Sequence, residues 1–306
     1  MNAPVSPERS CPSWTRREFL AATLGAPLLA GCASTGRSSA RWQIGCYTRP
    51  WDQHDYRIAL DAIAEAGFRY AGIMTAKGRS WVMITAETAP EQAAEIGVQL
   101  KLRGLRAASV YGDYRVTASV AENVKALERL IEHCVACGSP DLLLGGVGEA
   151  ALQAPYYDAV REVCAFAAAR HVRLTIKPHG GQIATGPQCR RVIESVDRPN
   201  FRLWYDPGNI LYYSDGALDP VADAATVAGL VAGMSIKDFL PPKNVDVTPG
   251  TGRVNFARVF GRLREGGFAG GPLVVECVAR PNPQDVKAIT AQARQARELV
   301  ERLVSA

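Results

Sequence analysis

Four apolar runs in the second half of the chain, rich in β-branched residues, each end in a polar or charged group. They are Leu174-Thr-Ile-Lys177-Pro-His179, Phe201-Arg-Leu-Trp-Tyr-Asp206-Pro-Gly-Asn209, Val231-Ala-Gly-Met-Ser235-Ile-Lys237-Asp238 and Pro272-Leu-Val-Val-Glu276. A strand that is apolar on both faces has to be covered on both, and a helical pattern follows each run. The spacing agrees: Lys177 to Asp206 and Asp206 to Ser235 are both 29 residues (206−177 and 235−206), about one strand-plus-helix unit. A chain repeating this unit closes into an α/β fold, the (β/α)8 or TIM barrel, with its working groups at the strand C-termini. Function is therefore sought at Lys177, His179, Asp206, Asn209, Ser235, Lys237 and Glu276.

Eight such units can be walked along the chain. Strand one is Trp42-Gln-Ile-Gly-Cys-Tyr47, and a helix with apolar positions Ile58, Ala59, Ala62, Ile63 and Ala66 follows it and stops at Gly67. Tyr70 to Met74 is strand two, and the irregular excursion after it, through Trp81 and Thr85, is expected to be a lid. Helices are expected over 89–104, 116–137, 155–170, 185–196, 219–230 and 255–266, with a closing helix over 283–303. An open doubly wound sheet is the rival fold, but Cys46-Tyr-Thr-Arg-Pro50 stands where its Gly-rich phosphate loop would be.

Residues 1–31 read as an export signal. Thr15-Arg16-Arg17-Glu18-Phe19-Leu20 is a twin-arginine pattern, and the apolar stretch from Leu20 to Ala30 is shorter than the roughly 20 residues a permanent span needs. Leu29-Ala30-Gly31-Cys32 resembles a bacterial lipobox, so Cys32 is expected to be acylated and to become the new N-terminus, with 32–40 a flexible tether and 41–306 the barrel. With Ser34 rather than Asp after it, the expected location is the periplasmic face of the outer membrane, reached by the twin-arginine route. The membrane would be met only through that lipid.

The chain carries a formal charge of +5; the three Arg and two Glu of the signal leave +4 for the rest, without a basic run. Nucleic acid is not an expected partner. Cys46, Cys134, Cys137, Cys164, Cys189 and Cys277 lie in strand-like or helix-like runs and read mostly as small buried hydrophobes.

At its strand ends, from about Trp42 to Leu303, the chain resembles the sugar isomerase and epimerase superfamily of xylose-isomerase-like TIM barrels. The resemblance implies a divalent metal held by Glu, Asp, His and Glu at the ends of strands five to eight, where this chain has Lys177, Asp206, Ser235 and Glu276. Such a metal polarises a sugar carbonyl while carboxylates shuttle a proton on the adjacent carbon. Lys177 cannot be an ordinary ligand while protonated, so one expectation is that its ammonium replaces the metal beside Asp206 and Glu276. The other is a three-ligand site of His179, Asp206 and Glu276 for manganese, magnesium or zinc.

Lys177, Asp206 and Glu276 are the catalytic candidates, with Glu276 as general base, Asp206 its partner and Lys177 or a metal the electrophile. His179, Asn209, Lys237 and Trp204 are the substrate-binding candidates. Trp204, with Trp51, Tyr111 and Tyr212, would offer a stacking platform for a sugar. Asp206-Pro-Gly-Asn209 also has a purely structural reading as a turn, and Lys237 with Asp238 one as an internal ion pair. A mouth with few charges suits an unphosphorylated sugar or keto-sugar as the small-molecule partner. The expected function is isomerisation, epimerisation or elimination by proton transfer next to a carbonyl. The alternative is a non-catalytic carbohydrate-binding lipoprotein on the same scaffold.

Overall fold

The computed structural model describes residues 42–75 and 82–306. The twin-arginine segment, Cys32 and the tether lie outside these residues, as does Trp81. The strands are β1 (Trp42–Tyr47), β2 (Tyr70–Ile73), β3 (Ile84–Thr85), β4 (Arg106–Asp113), β5 (Asp141–Leu144), β6 (Arg173–Ile176), β7 (Phe201–Tyr205), β8 (Val231–Ile236) and β9 (Gly271–Val275). Eight of them run β2-β1-β9-β8-β7-β6-β5-β4, all parallel, and pairing of β2 with β4 closes the ring. The short β3, part of the excursion after β2, adds only to the tip of β4 through Ile84↔Gly112 and Thr85↔Asp113. The four strands whose ends carry the polar groups are therefore β6 to β9.

Helices α1 (Tyr56–Glu65), α2 (Pro90–Leu102), α3 (Val120–Cys137), α4 (Ala150–Ala169), α5 (Gly186–Val196), α6 (Pro207–Tyr213), α7 (Pro220–Ala225), α8 (Phe256–Glu265) and α9 (Val286–Ser305) connect them. Their starts are chemically marked. Asp55, Ser119, Asn255 and Asp285 accept a backbone N–H from the first turn, and Thr185 forms a capping box with Gln188. Gly138 ends α3 at φ 76°, in the left-handed region that glycine enters without strain.

Two expectations are corrected here. Helix α4 starts at Ala150 and carries Pro155 inside it, rather than starting at Pro155. The helix expected over 219–230 is shorter, α7 ending at Ala225, and a further short helix precedes it, opened by the turn formers Asp206-Pro-Gly-Asn209: Asp206 is the N-cap of α6 and Pro207 its first residue. Proline suits that position because its missing N–H is one that a helix start leaves unbonded.

Alternation along each strand separates two apolar layers. One set, including Cys46, Val110, Leu203, Tyr205 and Val275, packs outward under the helices. The other, comprising Tyr47, Met74, Val82, Ala108, Tyr111, Leu143, Trp204 and Val274, fills the inside of the ring. Trp204 has room because Gly233 stands beside it on β8; a Cβ there would run into its ring. The period of two then decides the site: two residues beyond Thr175, Trp204, Ser235 and Val274, the next inward positions are Lys177, Asp206, Lys237 and Glu276.

Candidate active site

Those inward side chains meet above the interior layer. Lys177 is 1% exposed and Asp206 and Glu276 are 0% exposed, so their charges must be answered inside the protein. The Lys177 Nζ donates to Glu276 Oε2 at 2.6 Å and to Asp206 Oδ2 at 3.3 Å. Lys237 Nζ donates to Glu276 Oε1 at 3.0 Å and to Asn209 Oδ1 at 2.8 Å, and lies 3.8 Å from Asp206 Oδ2. The Ser235 hydroxyl donates to Glu276 Oε2 at 2.8 Å and in turn accepts from Trp204 Nε1 at 3.2 Å. Arg49, in the short turn after β1, completes the set by donating to Glu276 Oε1 at 2.7 Å.

The two carboxylates are treated unequally. Burial alone would push the Glu276 carboxyl up, but Lys177, Lys237 and Arg49 together outweigh burial and hold it well below the usual carboxylate range. Asp206 receives one weaker ammonium bond and the Asn209 backbone N–H at 2.9 Å; burial dominates, and its pKa is raised. Lys177 shows the complementary balance, since burial lowers its pKa but Glu276 and Asp206 more than restore it. It is a fixed ammonium, not a nucleophilic amine.

A cavity of about 250 Å³ opens over this cluster, lined by Arg49, His179, Asn209, Tyr212, Tyr213, Lys237 and Val245. His179 stands between the rings of Tyr111 and Tyr213, at centroid distances of 6.3 and 5.8 Å. Burial, then the charges of Lys177 and Lys237, push its pKa down to about 4, so the imidazole is neutral near pH 7.

Lys177, His179, Asp206, Asn209, Ser235, Lys237 and Glu276 are thus brought to one place. Trp204 is not part of the cavity: it is fully buried in the interior layer and holds Ser235, so it offers no face to a sugar. Trp51 is likewise fully buried. Asn209 is committed to the protein, donating to Pro178 O at 2.6 Å while accepting from Lys237. Asp238 is no partner of Lys237; it accepts the backbone N–H groups of Phe239, Gly250, Gly252 and Val254 at 2.8–3.0 Å and so folds the loop that carries Val245. The mouth expected to hold few charges is in fact walled by Arg49 and Lys237. Arg49, Tyr213 and Val245 were not singled out by the sequence reading. For Arg49 the signal is a cation two residues beyond strand one, at the strand's C-terminal end.

A divalent metal does not fit these residues. Both oxygens of Glu276 and the outer oxygen of Asp206 already face cations fixed by the barrel, and Ser235 and Lys177 offer no strong ligand. Among the described residues no three His, Cys, Asp or Glu side chains are gathered to hold a metal ion, so the His179, Asp206 and Glu276 triad is not formed. The six cysteines from Cys46 to Cys277 are all buried and unbridged.

A closed parallel barrel with its charged groups at the strand C-termini defines the class, and comparison places it further. The sequence profile of the xylose isomerase-like TIM barrel family matches residues 60–303, and the chain belongs to that family. A search of curated proteins found no match. Among solved structures, it resembles a D-psicose 3-epimerase crystallised in the presence of D-fructose (13% identity, TM-score 0.67, covering 86% of this chain and 100% of that one). It also resembles a D-allulose 3-epimerase from Methylomonas sp. (18%, 0.66, 86% and 98%). A third similar structure is a xylose isomerase-like TIM barrel protein from Mycobacterium smegmatis in complex with magnesium (18%, 0.68, 87% and 97%). At these identities the likeness to the structures concerns the fold.

Proposed function

We propose that this chain is an exported isomerase- or epimerase-type enzyme that moves a proton next to a carbonyl on an unphosphorylated sugar or keto-sugar. The observation that carries the reading is the buried Lys177 ammonium bridging Asp206 and Glu276, with Lys237 and Arg49 completing the cluster at the cavity wall. A carbonyl oxygen in the cavity would meet Lys237 and Arg49, and the negative charge that develops on it as the neighbouring C–H proton leaves would be stabilised by cations already in position. Glu276 then serves as the anchor of the cations rather than as the base, because a carboxylate with four donors on it has no lone pair left for substrate. His179, neutral and lining the cavity, is the group to take the proton; its pKa is held at about 4 partly by the charges of Lys177 and Lys237, and the negative charge that develops on the carbonyl oxygen beside Lys237 offsets them and raises its proton affinity as the transfer proceeds. Delivery of a proton to the opposite face of the same carbon gives an epimer, whereas delivery to the former carbonyl carbon, with the neighbouring hydroxyl passing its proton to the former carbonyl oxygen, gives an isomer. The family membership and the resemblance to sugar 3-epimerases support the sugar-directed part of the proposal.

One observation favours the second reading, a non-catalytic carbohydrate-binding lipoprotein: neither carboxylate lines the cavity. The deciding experiment incubates the purified full chain with a panel of sugars and keto-sugars in deuterated water and follows deuterium entry beside the carbonyl by NMR. Entry that is lost in His179→Asn supports the enzyme. Binding without entry anywhere supports the binder. The export part of the proposal rests on Arg16-Arg17 and Cys32. It requires that Cys32→Ala abolish fatty-acid labelling and that an Arg16→Lys, Arg17→Lys double variant stay in the cytoplasm.

A further inference from the structure

We propose that the end of the barrel at which the strands begin docks on an anionic phospholipid bilayer, so that the membrane is met by the protein's own surface as well as by a lipid at Cys32. The inference rests on the export reading above for the source of that bilayer. In a closed parallel barrel all strand starts lie at one end. The loops that lead into them carry Arg69, Arg103, Arg170 and Arg198, and Arg106, Arg173 and Arg202 stand in the first two positions of β4, β6 and β7. Asp197 is the only acid in those loops. Three of the arginines are answered from elsewhere, Arg103 by Asp61, Arg170 by Glu132 and Arg173 by Asp141, each at 2.6 Å. Among the described residues the other four have no carboxylate at ion-pair distance: Arg198 and Arg202 reach the backbone carbonyls of Asp197 and Gly229, and Arg69 and Arg106 stand exposed.

The cations are grouped, and an apolar side chain stands among them. The Arg106 N–H donates to Arg69 O at 3.0 Å, so these two are neighbours across β2 and β4. Lys101, in the last turn of α2, lines a cavity of about 310 Å³ together with Arg106, Tyr70 and Leu105, which offers two cations over an apolar wall. Arg202 shows the crowding from the other side of this end, because burial and then the charge of Arg173 push its pKa down. Leu102, between Lys101 and Arg103, is 72% exposed, the most exposed large apolar side chain among the described residues. Apolar side chains flanked by cations are what a peripheral protein sets into the headgroup layer of anionic lipid. A nucleic acid or an acidic polysaccharide would answer the cations and leave Leu102 in water.

The attachment point and the opposite end agree with this placement. Trp42 opens β1, so the chain enters the barrel at the same end, ten residues after Cys32 (42−32). Ten residues reach at most about 36 Å, so an acyl group at Cys32 keeps the basic end near the bilayer, and a contact that is weak by itself becomes effective. At the mouth, the outer cations Arg115, Lys243, Arg253 and Arg280 are outnumbered by Asp52, Asp113, Asp215, Asp219, Asp246 and Asp285. An anionic surface repels that end and attracts the other. The charge pattern thus turns the cavity of Lys237 and His179 towards water, where a soluble sugar can enter it.

The test is flotation of the full chain, in a Cys32→Ala background that removes the acyl group, with vesicles of phosphatidylcholine alone or mixed equally with phosphatidylglycerol. Each cation brought to an anionic surface strengthens binding about fivefold. Arg69→Gln combined with Arg106→Gln should therefore weaken binding to the mixed vesicles at least about tenfold, whereas Arg115→Gln combined with Arg253→Gln, at the mouth, should leave it unchanged. The leader is the same in every sample and drops out of the comparison. A second measurement needs no variant: acylated wild-type protein is placed on each kind of vesicle and treated with a soluble amine-acetylating reagent. Lys101 should be shielded on the mixed vesicles alone, with Lys243 at the mouth labelled equally on both. Equal binding by the two double variants, equal labelling of Lys101 on the two vesicles, or tighter binding of the wild type to heparin than to the mixed vesicles overturns the inference. Its failure is separable from that of the export reading. A Cys32 without fatty acid sinks the export reading and leaves the flotation result standing, and an acylated Cys32 with Lys101 unshielded sinks only the docking.

Discussion

Replacing Lys177 by methionine tests the cluster directly, because the side chain is of similar length and only the charge is lost. Glu276 would keep Lys237, Arg49 and Ser235. Asp206 would keep only the Asn209 N–H and the more distant Lys237 ammonium at 3.8 Å, so it bears the loss. Removing one partner of a buried ion pair costs about 3–5 kcal/mol, and the surviving cations place this case at the low end, about 3 kcal/mol at neutral pH. For a chain of this size that is a fall in melting temperature of roughly 6–12 °C. The pH dependence follows from the sign of the Asp206 shift. Its folded pKa is already above the unfolded value, and losing Lys177 raises it further. A carboxyl of this kind destabilises the fold while ionised, and the penalty relaxes as pH falls through the raised value, by up to about 1.4 kcal/mol per pH unit. Urea denaturation followed by circular dichroism at neutral and mildly acidic pH reads both quantities. A loss under about 1 kcal/mol at neutral pH, or a penalty that does not relax on acidification, would refute the assignment of Lys177 as the charge that holds Asp206.

Glu276→Gln should show the opposite pH signature: the depressed folded pKa gives stability that is complete above about pH 4.3 and is lost as pH falls through the folded value, so the wild-type acid limb should flatten in the variant. An acid limb identical in both proteins would contradict the depressed pKa. Asp238→Asn replaces one of two oxygens that each accept a pair of backbone N–H groups, and should cost about 3 kcal/mol while speeding amide exchange selectively over 239–254; uniform exchange across the chain would show that Asp238 does not organise that loop. With all six barrel cysteines buried and unbridged, adding a reductant should leave the melting temperature unchanged to within about 2 °C. A larger fall would reveal a structural disulfide.

The barrel and its four polar or charged strand ends were readable because the physics behind them is local. A strand covered on both faces has to be apolar, and the first polar residue beyond it has nowhere to go but the mouth, which is how Lys177, Asp206, Ser235 and Glu276 could be found from the chain alone. A period of two along the strand places Trp204 in the interior layer rather than at the mouth. It lies two residues before Asp206 on the same inward face, hence one layer deeper, where Gly233 leaves room for its ring. Asp206-Pro-Gly-Asn209 reads equally as a turn or as a helix start, since the same residues satisfy both, and only packing chose the helix. Arg49 and Val245 come from loops whose shape is set by distant partners, so spacing carries little information about them.

The chemistry assigned to Glu276 changes most once distances are known. As a strand-end carboxylate in a polar mouth it looks like a base, but a base needs a lone pair free for substrate. Glu276 has none to spare: Arg49 and Lys237 bond one oxygen, Lys177 and Ser235 the other. Its contribution is to hold three cations within reach of one another, an arrangement that mutual repulsion would otherwise break apart. In the proposed reaction the electrophilic character of the site therefore depends on Glu276, although Glu276 is not among the residues that line the cavity. Glu276→Gln should lose substrate binding together with turnover, whereas His179→Asn should lose turnover while binding survives.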